Sequence, residues 1–312
     1  MRSHRLPSAF AGGIFMFING AGVHRISAGV MQMKCQWQEY IRLLPQWMRQ
    51  EVDKQGHADL QELRLRCGQT PQLCFQNRCH WLPRAVVRDD LSFVINTASK
   101  FSPWAAETIA DGFITAPGGH RIGICGAAVV SHGKVTGISA PTSLCIRVAR
   151  EFTDIAVSLR NVRGSILMIG PPGSGKTTLL RDLVRQYADM EKGSVAVIDQ
   201  RQELFPMSLG QACFATGKCA DIISGCPKAE GIHMALRSMN PTWIAVDEIT
   251  AGEDCDAMLH AGWCGVTLLA TAHAGSVNDL KNRPAYRLLM EKKLFQNVVV
   301  LHRDKSWTME RL

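Results

Sequence analysis

The sequence predicts an α/β protein: a mostly parallel sheet over residues 153–312, preceded by a smaller α+β domain over 34–152. Three observations carry this prediction. A complete phosphate-binding loop lies between an apolar run and an amphipathic stretch, a second apolar run ends in Asp247-Glu248, and a third ends in Thr271 and His273.

Length and composition allow such a fold. At 312 residues the chain suits about two domains, and 46% hydrophobic with 20% charged residues is ordinary for a globular protein. No apolar run reaches the roughly 20 residues needed to span a bilayer. The net charge is +8, and Arg2, Arg5, Arg25 and Lys34 supply half of that excess from an opening stretch without an acidic residue. Eleven cysteines, none spaced C-x-x-C, read as reduced thiols. Cys74, Cys79 and His80 form the most metal-like grouping, one short of a structural zinc set.

Residues 1–33 read as a tail, disordered or a non-native extension with Met31 or Met33 as the natural start. Its basic MRSHR and apolar AFAGGIFMFINGAG imitate a signal peptide, but export would part the phosphate-binding loop from the phosphate compounds of the cell interior. From Leu60 to Leu73, Leu63 and Leu65 alternate with Arg64 and Arg66 before Gly68 and Pro71, which predicts a strand and a turn. Over 89–112 the spacing of Leu91, Val94, Ile95 and Ala98 predicts a helix, a break near Pro103 and a second helix ending at Gly112. Residues 113–130 predict a β-hairpin turned by Pro117, Gly118 and Gly119. Beyond residue 155, SILMIG, VAVID, WIAVD, VTLLAT and NVVVLH are strand candidates, and TTLLRDLVRQYADM is an amphipathic helix.

Gly170, Pro171, Pro172, Gly173, Ser174, Gly175, Lys176 and Thr177, with Thr178 behind them, match the phosphate-loop pattern between a strand and a helix. Glycines let the backbone curl so that consecutive N–H groups face phosphates, and the helix N-terminus adds positive partial charge. Lys176 is expected to reach the β- and γ-phosphates of ATP, and the Thr177 hydroxyl to bind Mg²⁺. This makes the core a RecA-like P-loop NTPase. Asp247, emerging at the end of an apolar strand, is the second expected Mg²⁺ contact, and Glu248 is placed to orient or deprotonate the attacking water. Glu203, closing Asp199-Gln-Arg-Gln-Glu, competes for that role, with a charged loop held by an Asp–Arg pair as the structural alternative. His273 sits where a strand tip can sense the γ-phosphate. No N-K-x-D motif selects guanine, so ATP is the default.

Taken together, ELRLRCGQTPQL, GGHRIGICG, SLCIRVARE, GPPGSGKTTLLRDLVR, VIDQRQE, CPKAEGIHMALRSMNP, AVDEI and ATAH resemble the stage III sporulation AA family, relatives of type II and type IV secretion and pilus-retraction ATPases. The resemblance covers about Glu62 to Arg303. It implies a cytoplasmic, membrane-peripheral ATPase forming a homo-oligomeric, hexameric ring, with membrane proteins of a mother cell-to-forespore channel complex as partners. It also implies that Arg121, Arg147 and Arg150 stabilise charge on the phosphates, and that the chain between 150 and 160 is a hinge. Asp199-Gln200-Arg201 stands where the family has Asp-Glu-Arg, and Lys218, Cys219 and Ala220 precede Asp221 where it has Arg-Thr-Asp; either departure is expected to weaken hydrolysis. A RecA-like nucleic-acid motor and a nucleotide-binding scaffold without turnover are the alternatives. No R-G-G tract, zinc knuckle or aromatic-interleaved basic stripe supports nucleic acid.

Overall fold

The computed structural model describes residues 16–19, 22–25, 31–56, 59–99, 109–190, 193–208 and 210–312. Most of the expected tail, and residues 100–108 of the expected second helix, lie outside them. Within the tail, β1 (Met16–Asn19) pairs antiparallel with β2 (Gly22–Arg25), and β3 (Gln32–Lys34) closes the stretch.

The chain divides into two compact units. The first holds residues 34–151. It opens with helices α1 (Trp37–Arg42) and α2 (Gln46–Gly56), then strands β4 (Glu62–Arg66), β5 (Gln72–Cys74) and β6 (Cys79–Trp81). Helix α3 (Arg88–Ser99) follows, with Asp89 and Asp90 in its first turn, where carboxylates favour the helix dipole. It buries Leu91, Val94 and Ala98, as its helical spacing predicts. Strands β7 (Phe113–Thr115), β8 (Arg121–Ser131) and β9 (Lys134–Arg147) complete an antiparallel sheet in the order β6-β5-β4-β9-β8-β7. The predicted hairpin is present, β7 on β8, turned through a 3-10 segment at Pro117–Gly119, where Gly118 and Gly119 adopt φ of 80° and 77°. Strand β8 ends within one residue of its predicted end and also forms a longer hairpin with β9, a strand the sequence did not predict.

In this unit Leu63 and Leu65 on β4, Ile122 and Ile124 on β8, and Leu144 and Ile146 on β9 alternate inward onto Tyr40, Leu44, Met48 and Val52. That is the period-2 pattern of a sheet with one covered face. Strand pairing sets Cys74 opposite Cys79 and Leu73 opposite His80, so His80 lies on the other face from the two thiols.

The boundary to the second unit falls within β10 (Glu151–Thr153), which pairs with β3, between Glu151 and Phe152. Strand β11 (Ile166–Ile169) leads into helix α4 (Lys176–Asp189) and strand β12 (Val195–Asp199). The next pair, β13 (Met207–Ser208) with β14 (Gln211–Ala212), belongs to the first unit although it interrupts the second in sequence. Within the first unit Gln36 Nε2 donates to Cys213 O at 3.4 Å, and a Cβ on Gly119 would meet Cys213 and Phe214 at 3.2 and 3.3 Å. The second unit continues with β15 (Ala220–Ser224), α5 (Lys228–Ser238), β16 (Trp243–Val246), α6 (Gly252–Trp263), β17 (Thr267–Ala272), α7 (Val277–Asn282), α8 (Pro284–Glu291), β18 (Asn297–Leu301) and β19 (Trp307–Arg311). Its sheet has the order β15-β12-β16-β17-β11-β18-β19, parallel except for β19.

The central strands β11, β12 and β18 are buried at every residue, which explains why they read as unbroken apolar runs. Helix α4 is fixed by Asp182, whose buried carboxylate accepts from Ala156 N (2.8 Å), Gln186 Nε2 (2.9 Å) and Arg185 Nε and Nη2 (3.0 and 2.8 Å). Among the described residues no helix is long and apolar enough to cross a membrane.

Candidate nucleotide site

Strand register brings the motifs to one edge of the parallel sheet. Ile169 is level with Ala272, Val246 with Ala270 and Ile198 with Val246, so Gly170, Asp199, Asp247 and His273 all leave carboxyl ends of adjacent strands. Ligands of open α/β sheets bind at such an edge.

The loop between β11 and α4 curls through Gly170, Gly173 and Gly175 at φ of 155°, 72° and 101°. At Gly170 a Cβ would stand 2.6 Å from Leu301 O and 2.8 Å from Ser174 Oγ, so only glycine fits there. Lys305 Nζ donates to Gly173 O from the far side. Lys176 is buried, and its ammonium donates to Gly170 O (2.9 Å) and Pro171 O (3.1 Å). Burial pulls its pKa below the ordinary lysine value, against the opposing pull of Asp247 and Glu248.

Lys176 Nζ also lies 3.2 Å from His273 Nδ1. An ammonium only donates, so Nδ1 is the acceptor and Nε2 carries the proton. That Nε2–H faces Glu248 Oε1 at 3.2 Å, and Arg201 Nη1 donates to Glu248 Oε2 at 2.6 Å. The result is one chain of contacts, Lys176–His273–Glu248–Arg201. Asp247 takes the Thr177 hydroxyl on Oδ2 (2.9 Å) and the Thr271 hydroxyl on Oδ1 (2.6 Å). Thr271 Oγ1 in turn accepts from Glu248 N at 2.7 Å, and Ile249 N donates to Thr271 O at 2.9 Å. This pinning holds Glu248 at φ 55°, a left-handed conformation that a non-glycine residue rarely adopts outside an over-determined site.

These five expected residues, Lys176, Thr177, Asp247, Glu248 and His273, therefore come together. The Asp199 loop differs from its structural alternative. No Asp199–Arg201 pair forms there: Asp199 is buried and accepts from Glu203 N (2.9 Å) and Phe205 N (2.8 Å), while Arg201 reaches Glu248. Burial raises the Asp199 pKa, opposed by the N–H groups of Phe205, Glu203 and Leu204. Glu203 meets Arg181 Nη2 through its backbone oxygen at 2.6 Å. Gln200 Oε1 accepts from the buried Lys228 at 3.1 Å.

Arg121, Arg147 and Arg150 belong to the first unit. Arg121 and Arg147 are direct cross-strand partners on β8 and β9, and the Arg121 guanidinium lies 3.7 Å from the Phe113 ring centre. Arg150 Nη1 donates to Leu60 O at 2.8 Å, and its Nη2 is buried with no hydrogen-bond partner among the described residues. His120, fully buried beside them, donates or accepts at both ring nitrogens: Nδ1 accepts from Ala149 N (3.1 Å), which leaves Nε2–H to donate to Gln36 O (3.1 Å). Burial pushes its pKa down to about 4.

Sequence reasoning offered Arg201 only as the arginine of an Asp–Arg pair within its own loop and left Arg283 unassigned. The first clamps Glu248; the second donates to His273 O at 2.7 Å and pairs with Asp279. Only the position of Arg201 inside a strand-end cluster hinted at its reach.

The residues present fit a nucleoside triphosphate with Mg²⁺. Ser174 Oγ is buried without a hydrogen-bond partner among the described residues, at the turn where a phosphate oxygen would supply one. Thr177 and Asp247 supply the hydroxyl and single carboxylate with which proteins commonly hold Mg²⁺ beside phosphates.

The sequence model of the family described as "Sporulation stage III, protein AA" matches residues 34–309. Stage III sporulation protein AA of Bacillus subtilis (strain 168) is 34% identical over 281 residues, spanning 86% of this chain and 92% of that protein. Protein SEEDLING PLASTID DEVELOPMENT 1 of Arabidopsis thaliana is 26% identical over 270 residues, 80% of this chain and 35% of that one. Among solved structures, the pilus retraction motor PilT with bound ADP superposes with a TM-score of 0.58 at 14% identity, covering 84% of this chain and 81% of that one. The ATPase DotB of Legionella pneumophila gives 0.53 at 18% identity, covering 86% and 80%. The fold is therefore that of the secretion and pilus ATPases, a RecA-like P-loop core behind an α+β domain.

Proposed function

The chain belongs to the sporulation stage III protein AA family, and from that premise we propose that it hydrolyses Mg-ATP to power or assemble a secretion-like channel between mother cell and forespore. The observation that carries the reading is the contact chain Lys176–His273–Glu248, which joins the phosphate-loop lysine to a carboxylate beside the Thr177–Asp247 pair.

Gly170 to Thr178 would hold the triphosphate, with loop N–H groups and Lys176 on its outer phosphates. Mg²⁺, held by Thr177 and Asp247, would neutralise charge building on those phosphates. Glu248 orients the attacking water and accepts its proton, with Thr271 fixing the backbone behind it. His273 links Glu248 to Lys176, so a change at the γ-phosphate position reaches the carboxylate through one imidazole. Its direct place in this contact chain favours Glu248 over Glu203 as the base. Arg121, Arg147 and Arg150 are proposed to stabilise the phosphates of a bound nucleotide in the ring. The ring is proposed to be a hexamer, cytoplasmic, peripheral to a membrane and attached to membrane proteins of the channel.

Steady-state ATPase assays of the purified chain, with molar mass followed by light scattering, test this reading. Turnover that needs Mg²⁺, ignores single-stranded DNA and accompanies ATP-dependent rings is expected, with Lys176→Ala losing most nucleotide affinity. Stimulation by DNA would favour the nucleic-acid motor, and nucleotide binding without turnover would favour the scaffold.

A further inference from the structure

The long hairpin of β8 and β9 leaves its sheet. Strand β7 accompanies β8 only as far as Gly123, and β4 accompanies β9 only from Ser143. Beyond those points the two strands continue as a ribbon, roughly 20 Å long at about 3.3 Å per residue. Isolated two-stranded ribbons are marginal in water, so a ribbon of this length is expected to meet something.

Its side chains are apolar on both faces. Cross-strand pairing puts Ala128 with Ile138 and Val130 with Val135 on one face, and Ala127 with Ser139 and Val129 with Gly137 on the other. Val129, Val130 and Val135 are 45%, 61% and 47% exposed. The hydroxyls turn back onto the ribbon: Thr136, Ser139 and Thr142 donate to Val129 O, Ala127 O and Cys125 O at 3.2 to 3.3 Å. Ile138 packs back against the first unit's core, so what faces outward is Ala127, Ala128 and the three valines, with Ser131, His132 and Lys134 at the tip.

Its edges are guarded against strand addition. The ladder is broken by irregularities between Cys125 and Ala127 and between Val129 and Val130, Pro141 removes a donor, and Lys134 adds charge at the tip. These are the devices that block edge-to-edge pairing. A second copy or a partner strand is thus a poor fit, while a medium that wets both faces is a good one. Charge points the same way: between Asp111 and Glu151 there is no acidic residue, and the tip carries His132 and Lys134.

We propose that the β8–β9 ribbon docks on the interface of an anionic lipid bilayer, with Val129, Val130 and Val135 among the acyl boundary and Lys134 at the headgroups. The ribbon lies in the interface without spanning, because its open edges need water or headgroups to satisfy them.

Flotation of the full chain with phosphatidylcholine vesicles, with and without phosphatidylglycerol, tests this. Binding is expected to require phosphatidylglycerol and to weaken with salt. The double variant Val130→Glu, Val135→Glu is expected to lower partitioning about tenfold or more, and Lys134→Glu several-fold, while Lys134→Arg retains it. Because all of these side chains are exposed, unchanged thermal melting and nucleotide turnover would show that the fold and the proposed ATPase survive. Failure of the parent chain to float, or equal flotation of the valine variants, would overturn the proposal. So would a fall in oligomer mass in those variants without lipid, since that would make the ribbon a contact between copies.

Discussion

At the scale of single residues, the Thr177, Thr271 and Asp247 side chains of the site engage one another, while the Ser174 hydroxyl is left without a partner among the described residues. Thr271 shows why strand-end positions matter: one buried hydroxyl donates to Asp247 and accepts from Glu248 N, so it sets both carboxylates at once. His120 does similar work in the first unit, joining the chain before α1 to Ala149 beside Arg150. Its folded pKa of about 4 lies below the ordinary 6.5, so between these values the unfolded chain binds a proton that the folded chain does not. Stability contributed by the neutral imidazole is full above pH 6.5 and is lost as pH falls toward 4, by about 3 kcal/mol. Denaturant titrations across this window should show a shallower loss for His120→Asn than for the parent chain. Equal slopes would mean that His120 titrates normally.

At the scale of elements, the phosphate loop, the strands ending in Asp199, Asp247 and His273, and the helix behind Lys176 were legible because each combines an apolar run with a turn or charge at one end. Helix α3 was legible from its spacing. Three features were not. Strand β9 and its pairing with β8 were hidden because the exposed ribbon lacks the polar alternation that marks a half-buried strand. The β13–β14 pair was hidden because two-residue strands carry no period, and nothing local tells that Pro206–Phe214 joins the first unit. Arg201 was hidden because its partner, Glu248, lies on another strand. Helix α4 yields a stability prediction. Asp182→Ala leaves Arg185, Gln186 and Ala156 N without their shared acceptor, and should cost about 3–5 kcal/mol in chemical denaturation, far above an exposed ion pair such as Arg78–Asp59. A loss under about 1 kcal/mol would show that water replaces the carboxylate.

At the scale of the whole molecule, two features of the chain bear on how the proposed ATP hydrolysis would become work. The boundary between the units falls at Glu151 and Phe152, inside the segment 150–160 that the family resemblance implies is a hinge. The Asp199 loop, which starts at the nucleotide edge of the second unit, runs directly into Pro206–Phe214 of the first. Among the described residues the chain passes between the units at 33/34, 151/152, 205/206 and 214/215, and a rearrangement at Arg201 has only a few residues to travel before it reaches the crossing at 205/206. All of this presumes that Glu248 is the group that handles water. The most direct test is single-turnover ATP hydrolysis by Glu248→Gln and Glu203→Gln, with nucleotide affinity measured on the same preparations. The account predicts that Glu248→Gln binds Mg-ATP as the parent chain does and hydrolyses it about 10²–10⁴-fold more slowly, with a much smaller effect at Glu203. A larger loss in Glu203→Gln, or near-normal hydrolysis in Glu248→Gln, would contradict it.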